Sequence, residues 1–143
     1  MIMQLQFSQK DKSKMRFEIE FWGYTWEDFF HVIFDKGGVL LTYSGSLDNE
    51  GIAQMEELLY IDYAPRLEDI YNSKAFNYMK SEIGEDKKLF YSYTPTKELY
   101  GKTIRDALVY ELRPRFNILK PCRPNVELYC KGACALFPQH LLA

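Results

Sequence analysis

The residues best suited to chemistry near the carboxyl end of the chain are two cysteines and a histidine. Cys130 and Cys134 are close together in the sequence, and His140 follows them. Thiolate and imidazole groups bind zinc, but a structural zinc site needs four ligands at recognised spacing, and only three lie in this segment. We therefore expect no metal here and interpret both cysteines as buried or idle thiols.

Other catalytic arrangements lack partners in the sequence. His31 lies in an aromatic segment with no identifiable nucleophile, and neither Ser44 nor Ser46 belongs to a nucleophile-elbow pattern. Gly37 and Gly38 precede a predicted strand rather than a helix, which is not the context of a phosphate-binding loop. A hydrolase triad and the common modes of nucleotide binding are therefore not expected. Tyr60 and other tyrosines are candidates for lining a cleft, although tyrosines alternating along a strand are more often half-buried sheet residues.

Composition and charge limit the kinds of partner. The chain has 143 residues, of which 47% are hydrophobic and 16% aromatic, enough for one folded domain. A net charge of −2 argues against holding nucleic acid by global charge. The charge is uneven, however, because residues 44–70 are strongly acidic and residues 113–131 are mainly basic. If the domain meets a polyanion, we expect the basic segment to contact it; the alternative is an ordinary solvated surface.

The sequence also predicts a location. No apolar run approaches the ~20 residues needed to cross a bilayer, and the first residues do not resemble a signal peptide. The three cysteines do not suggest a disulfide framework. We therefore expect a cytoplasmic protein with reduced thiols and no membrane partner.

Hydrophobic patterns predict an alternation of strands and helices. Residues 15–21 alternate apolar and polar, as in a strand with one buried face. Thr25 and Asp28 predict the start of a short helix over 26–34. We expect the surrounding aromatic residues to be buried in the core: Trp22, Trp26, Phe29, Phe30 and Phe34.

The remaining predicted elements follow a defined order. Turn-forming residues over 44–51 favour an enlarged hairpin, Pro65 suits the first turn of a helix, and Pro114 stops the longest helix. The predicted ranges are strands 39–43 and 58–61, helices about 65–73 and 74–82, strand 89–93, helix 97–112 and a short strand 126–130.

Three segments in this order resemble the GIY-YIG nuclease family, particularly the N-terminal domain of the excision-repair nuclease. Gly38-Val-Leu-Leu-Thr-Tyr43 resembles the family's Gly-Val-Tyr opening strand, and Tyr60-Ile-Asp-Tyr63 resembles its Tyr-Ile/Val-Gly segment. Arg113-Pro-Arg-Phe-Asn117, after the long helix, is the most specific match. The resemblance rests on the common order of these segments.

The resemblance implies an α/β fold with a small central three-stranded sheet flanked by helices. This GIY-YIG-like domain would span residues 38–119. Residues 1–37 would form an N-terminal strand and helix extension, and residues 120–143 a C-terminal extension packed on the same domain.

Metal-dependent phosphodiester cleavage is the activity that the resemblance implies. In such enzymes tyrosines and an arginine position or activate water, and a helical glutamate holds a divalent metal. In this chain Leu40 occupies the position of the first tyrosine, and Asp62 replaces a glycine. Ile70 falls on the arginine, and Arg105 falls on the metal-binding glutamate. A guanidinium cannot bind Mg²⁺.

Part of the family's site is retained. Tyr60 and Asn117 match, and Arg66 lies one helical turn before the expected arginine. Asp106 and Glu111 are nearby carboxylates, but they lie roughly 100° and 120° around the helix from Arg105. The predicted residual catalytic site is Tyr60, Arg66 and Asn117, with no metal ligand. The predicted nucleic-acid contacts are Arg113, Arg115 and Lys120.

Three interpretations of function remain open. The first is a GIY-YIG-like module without nuclease activity or cofactor that binds DNA, RNA or a protein. The second is a divergent endonuclease that uses Mg²⁺ or Mn²⁺ and a relocated carboxylate, either Asp106 or Glu111, to cut DNA or RNA. The third is a protein interaction or oligomerisation domain with no nucleic-acid role. The sequence does not predict the oligomeric state.

Overall fold

A computed structural model describes residues 14–25, 36–84 and 86–143 of the chain. The predicted helix over 26–34 lies outside these residues, and so do His31 and the aromatic residues of that segment.

The first strand, β1 (Met15–Thr25), confirms the prediction from alternation. Phe17, Ile19 and Phe21 are almost completely buried on one face, as the period of two requires. Trp22 faces the opposite way, and 48% of its surface is exposed. The expectation that Trp22 is a core residue was therefore wrong, because it continues the polar side of the strand.

The enlarged hairpin is confirmed by β2 (Gly38–Leu47) and β3 (Ala53–Ala64), which pair antiparallel. Asp48 stabilises the turn, since one of its carboxylate oxygens accepts the N–H groups of Glu50 and Ile52, both at 2.9 Å. Gly51 supplies the positive φ that this turn requires. The pairing places β3 at an edge of the sheet.

The helices also follow the predicted order. Helices α1 (Leu67–Tyr71) and α2 (Lys74–Ile83) precede β4 (Lys88–Pro95), and α3 (Glu98–Leu112) precedes β5 (Val126–Gly132). The Ser73 hydroxyl caps α2 by accepting the N–H of Phe76. A short 3₁₀ helix, Gln139–Leu141, follows β5.

The sheet has five strands in the order β3-β2-β4-β1-β5, not three. The predicted three-stranded sheet corresponds to β2, β3 and β4, which pair antiparallel. Strand β1 adds antiparallel to β4, and β5 pairs parallel with β1 from Met15 opposite Val126 to Phe21 opposite Gly132. The sequence predicted both additional strands, β1 and β5, but did not reveal their partners, so the number of strands in the sheet was underestimated.

Helices cover both faces of the hairpin. Helix α3 contributes Ile104 and Leu108 to the core on one face, and the other face packs against Leu67 and Phe76 of the short helices. Helix α3 approaches closely at Gly101, where an added Cβ would lie 2.2 Å from the Tyr63 ring. This packing fixes α3 beside β3 and positions the side chains described below. No helix within the described ranges is both long and apolar enough to span a bilayer.

Candidate functional site

A cavity of about 530 Å³ lies beside β3 and α3. The chain after α3 completes its wall, so side chains from three distant parts of the sequence meet there. Its polar lining residues are Tyr60, Asp62, Arg105, Asp106, Asn117 and Lys120. The structure therefore brings together Tyr60 and Asn117, which were predicted from the sequence to share one site.

Tyr60 and Asp62 project from the same face of β3 and are hydrogen bonded to each other. The Tyr60 hydroxyl donates to Asp62 Oδ2 at 2.7 Å, and the N–H of Tyr63 donates to Asp62 Oδ1 at 2.8 Å. Burial raises the pKa of Tyr60 well above its ordinary value, and the charge and hydrogen bond of Asp62 raise it further. The hydroxyl therefore keeps its proton at neutral pH and acts as the hydrogen-bond donor to Asp62.

Arg105 lies between two carboxylates. Its Nη1 is 3.5 Å from Asp62 Oδ1, and its Nε donates to Asp106 Oδ1 at 3.0 Å. The cation thus faces both Asp62 on β3 and the next residue of its own helix. Each carboxylate already has a positive partner, and each is at most partly exposed.

The two candidate substitute carboxylates have different locations. Asp106 lines the cavity beside Arg105, although the two side chains are about 100° apart on the helix, because the cavity is wide enough to span neighbouring positions. Glu111 is not among the lining residues and pairs with His140 at 3.1 Å. Only Asp106 is placed where a relocated metal ligand would be needed.

Metal-ligating side chains do not converge in the described part of the chain, where no group of three or more histidine, cysteine, aspartate or glutamate residues is arranged to hold an ion. Cys130 and Cys134 are buried, as expected. Burial raises the pKa of both thiols, that of Cys134 to about 12. His140 pairs with Glu111 rather than with these cysteines.

Asn117 uses its side-chain amide to hold the edge strand. Its Nδ2 donates to the Ile61 carbonyl at 2.8 Å, and its Oδ1 accepts the Ile61 N–H at 2.9 Å. Next to it, the Phe116 N–H donates to the Leu59 carbonyl at 3.1 Å. Residues 116 and 117 therefore lie against the edge of β3, and the Asn117 amide is already hydrogen bonded within the chain.

Arg66 does not lie with Tyr60 and Asn117. It is the N-cap residue of α1, its guanidinium pairs with Glu68, and it is not among the residues lining the cavity. Ile70, at the position where the resemblance implies an arginine, is buried in the core. The structure therefore does not bring a cation from α1 into the cavity.

The predicted nucleic-acid contacts separate into different environments. Arg115 forms two hydrogen bonds with Glu57, at 2.9 and 3.1 Å. Lys120 donates to the Pro114 carbonyl at 3.1 Å. Arg113 instead lies over the ring of Tyr110, with its guanidinium carbon 5.2 Å from the ring centre. Arg123 contacts the same ring at 5.9 Å, and only the basic character of residues 113–131 pointed to it.

The apolar part of the cavity wall reaches the surface. Ile118 is 77% exposed and Leu119 is 88% exposed, and both follow Asn117 along the rim. Buried Val109 and Phe116 continue this wall inward. A contiguous apolar rim beside a cavity is typical of a contact surface.

The cavity thus combines an internally paired polar cluster with an apolar rim. Comparison of the chain with family models, with curated proteins and with solved structures finds no match.

Proposed function

We propose that this chain is a binding module with the layout of a GIY-YIG nuclease domain and without phosphodiesterase activity. The observation that carries the proposal is the position of Arg105, whose guanidinium faces Asp62 and Asp106 in the cavity. The resemblance implies a metal-holding carboxylate at this position of the helix. A cation there repels Mg²⁺ and already occupies the nearby anionic oxygens.

The other groups in the cavity support the same conclusion. Cleavage of a phosphodiester needs an activated nucleophile and stabilisation of the developing charge. The Tyr60 hydroxyl donates a hydrogen bond to Asp62, and its pKa is raised. Leu40, where the resemblance implies the first tyrosine, is completely buried and carries no hydroxyl. The residues that would position water and metal are thus absent or engaged with each other.

A metal-binding experiment tests the proposal directly. Titration of the wild-type protein with Mn²⁺, followed by electron paramagnetic resonance, is expected to show no binding at the cavity. Arg105→Glu places a third carboxylate beside Asp62 and Asp106, and we expect this variant to gain a Mn²⁺ site because hard divalent cations prefer oxygen ligands. Arg66→Glu is the matched control, since it makes the same charge change outside the cavity and should gain no site.

An activity assay accompanies the metal titration. Single-stranded and duplex DNA and RNA are incubated with the wild-type protein and Mg²⁺ or Mn²⁺, and no cleavage products are expected. Cleavage products that the wild-type protein forms and the Tyr60→Phe variant does not would overturn the proposal.

A divergent endonuclease is the second candidate, and the location of Asp106 in the cavity favours it. In that case Arg105 would have to leave its position between the carboxylates before a metal entered. Asp106→Asn should then abolish both Mn²⁺ binding and cleavage, whereas Glu111→Gln, outside the cavity, should affect neither.

The third candidate, a protein interaction or oligomerisation domain, is favoured by the exposed Ile118 and Leu119. If this rim mediates self-association, sedimentation equilibrium will show a dimer at micromolar concentration that Ile118→Ser with Leu119→Ser dissociates. A wild-type chain that remains monomeric would exclude self-association through the rim.

A further inference from the structure

The six arginines of the chain divide into two groups by their ion pairs. Four of them have a carboxylate partner: Arg16 with Glu18, Arg66 with Glu68, Arg105 with Asp62 and Asp106, and Arg115 with Glu57. Among the described residues, Arg113 and Arg123 have no carboxylate within ion-pair distance. These two are also the arginines that share a neighbour, the ring of Tyr110.

The contact with Tyr110 orients both guanidinium groups. Their central carbons lie 5.2 and 5.9 Å from the ring centre, within the range of a cation–π interaction. A guanidinium held by an aromatic ring retains N–H donors at its edge, and these match the paired oxygens of a phosphate. Two such groups beside one ring therefore form an anion-binding arrangement.

The acidic residue nearest in sequence forms no ion pair with this cluster. Glu111 follows Tyr110 and lines a small cavity with Tyr110 and Arg123, but its carboxylate contacts His140 at 3.1 Å rather than either arginine. The carboxyl end of α3 favours one cation through the helix dipole, and this accounts for Arg113. It does not account for Arg123, which comes from the segment before β5.

The backbone at Arg113 gives an independent indication. Arg113 has φ 47° and ψ 58°, the left-handed conformation that ends a helix. Glycine is the usual residue at such a position, because a side chain there is strained. Backbone strain would therefore favour glycine, whereas the helix dipole favours a cation, and the chain keeps a charged side chain here in spite of the strained backbone.

We propose that Tyr110, Arg113 and Arg123 form a binding site for single-stranded nucleic acid. The guanidinium edges would donate to backbone phosphates, and the guanidinium planes, held by the Tyr110 ring, would offer stacking surfaces for an unpaired base. The inference names a partner for the proposed binding module. It rests on that proposed function in one respect, namely that the bound strand is not cut. It also places binding outside the cavity and away from the Arg115–Glu57 pair, so Arg115 and Lys120 are not required.

Fluorescence anisotropy of a labelled single-stranded oligonucleotide, measured over a range of salt concentrations, tests this site. We expect Arg113→Gln with Arg123→Gln to bind at least about tenfold more weakly, because two charge-assisted contacts are lost. The slope of log K against log salt should flatten by about 1.4, since each phosphate contact on a single strand contributes about 0.7. Arg16→Gln with Arg66→Gln makes the same charge change elsewhere and should leave the slope unchanged.

A second variant separates binding from stability. Arg113→Gly relieves the left-handed backbone and should raise the melting temperature by about 2–4 °C. It should nevertheless weaken binding several-fold. A variant that is more stable and binds equally well would show that Arg113 has no role in recognition.

Four outcomes would overturn the site. The first two are that the wild-type protein binds no oligonucleotide at low salt, or that the control variant loses as much affinity as Arg113→Gln with Arg123→Gln. The other two are that the protein binds duplex more tightly than single strands, or that it binds heparin or anionic vesicles as tightly as the oligonucleotide. Failure of this binding site can be distinguished from failure of the proposed function. Absence of binding contradicts this site even if nothing is cleaved, whereas cleavage of a bound strand with Mg²⁺ contradicts the proposed function and leaves the site intact.

Discussion

The cavity beside Tyr60 and the surface around Tyr110 both use α3, but their charged groups differ in availability. In the cavity, Arg105 contacts two carboxylates and Asn117 binds the backbone of β3. At the Tyr110 surface, two guanidinium groups contact an aromatic ring and, within the described residues, no carboxylate. The difference indicates that polar groups in the cavity stabilise the fold, whereas those around Tyr110 are available to a ligand.

The largest loss of stability in this comparison is expected for Asn117→Ala. Removal of the amide leaves the N–H and carbonyl of Ile61 without these partners, and each such group costs about 1–3 kcal/mol when shielded from water. We expect the free energy of unfolding, measured with urea, to fall by about 3 kcal/mol. Leu119→Ala, at the exposed rim, should change it little. An unchanged value for Asn117→Ala would mean that this amide is available for a ligand.

A smaller loss is expected when Arg105 is replaced by methionine. The apolar stem is retained, but Asp62 and Asp106 lose their shared cation, at a cost of about 2 kcal/mol for hydrogen bonds to charged groups. The free energy of unfolding of Arg105→Lys should lie between those of wild type and Arg105→Met, because lysine keeps the charge without the planar fork. Oligonucleotide affinity should be unaffected in both variants. A large loss of affinity in Arg105→Met, with the fold intact, would place the ligand in the cavity.

Tyr60→Phe should cost about 1 kcal/mol at neutral pH, the usual value of one hydrogen bond. The substitution should also change how stability depends on pH above pH 10, and this effect is specific to the Tyr60 hydroxyl. Burial raises the pKa of Tyr60 and Tyr91 above the ordinary value of 10.0, so both states of the protein keep these protons at neutral pH. Above pH 10 the unfolded chain releases them while the folded chain holds them, and stability therefore falls as pH rises.

Removing one of these tyrosines should make the decline shallower, by at most about 1.4 kcal/mol per pH unit. Urea unfolding above pH 10, with tyrosinate absorbance as a second probe, measures this slope. Identical slopes for wild type and Tyr60→Phe would show that the Tyr60 hydroxyl is not shielded in the folded state.

The elements were predictable because each carries a local signal. Alternation identified β1, and Pro114 identified the end of α3, since these patterns depend on neighbouring residues alone. The pairing of β1 with β4 and of β5 with β1 depends on contacts distant in sequence, so the five-stranded sheet was not predicted. The period of two itself places Trp22 on the polar side of β1; the prediction of a core position rested on its aromatic side chain, and the residue type did not indicate which face it occupies.

The candidate site was predictable in location but not in its interactions. Of the residual site predicted from the family pattern, Tyr60 and Asn117 line the cavity together with Arg105, whereas Arg66 does not. The pattern could not show that Asn117 binds the backbone of Ile61. It also gave equal weight to Arg113 and Arg115, because the presence of Glu57 beside only one of them is a property of the folded chain.

The smallest effects are expected from Arg115→Gln, and they are the most discriminating. Arg115 and Arg113 are two residues apart, and their replacement by glutamine changes the charge equally. The Arg115–Glu57 pair is largely exposed, so its loss should cost less than about 1 kcal/mol. Because Arg115 is already engaged, Arg115→Gln should keep oligonucleotide affinity within about twofold of wild type, whereas Arg113→Gln alone should weaken it several-fold.

Glu57→Gln completes this test, since it releases Arg115 without removing it. Any role of Arg115 in binding should then appear as a gain in affinity that Arg115→Gln abolishes. Equal losses for Arg113→Gln and Arg115→Gln would show that the basic segment acts through its total charge. In that case the distinction between paired and available arginines would not determine where the strand binds, and the contact with Tyr110 would have only a structural role.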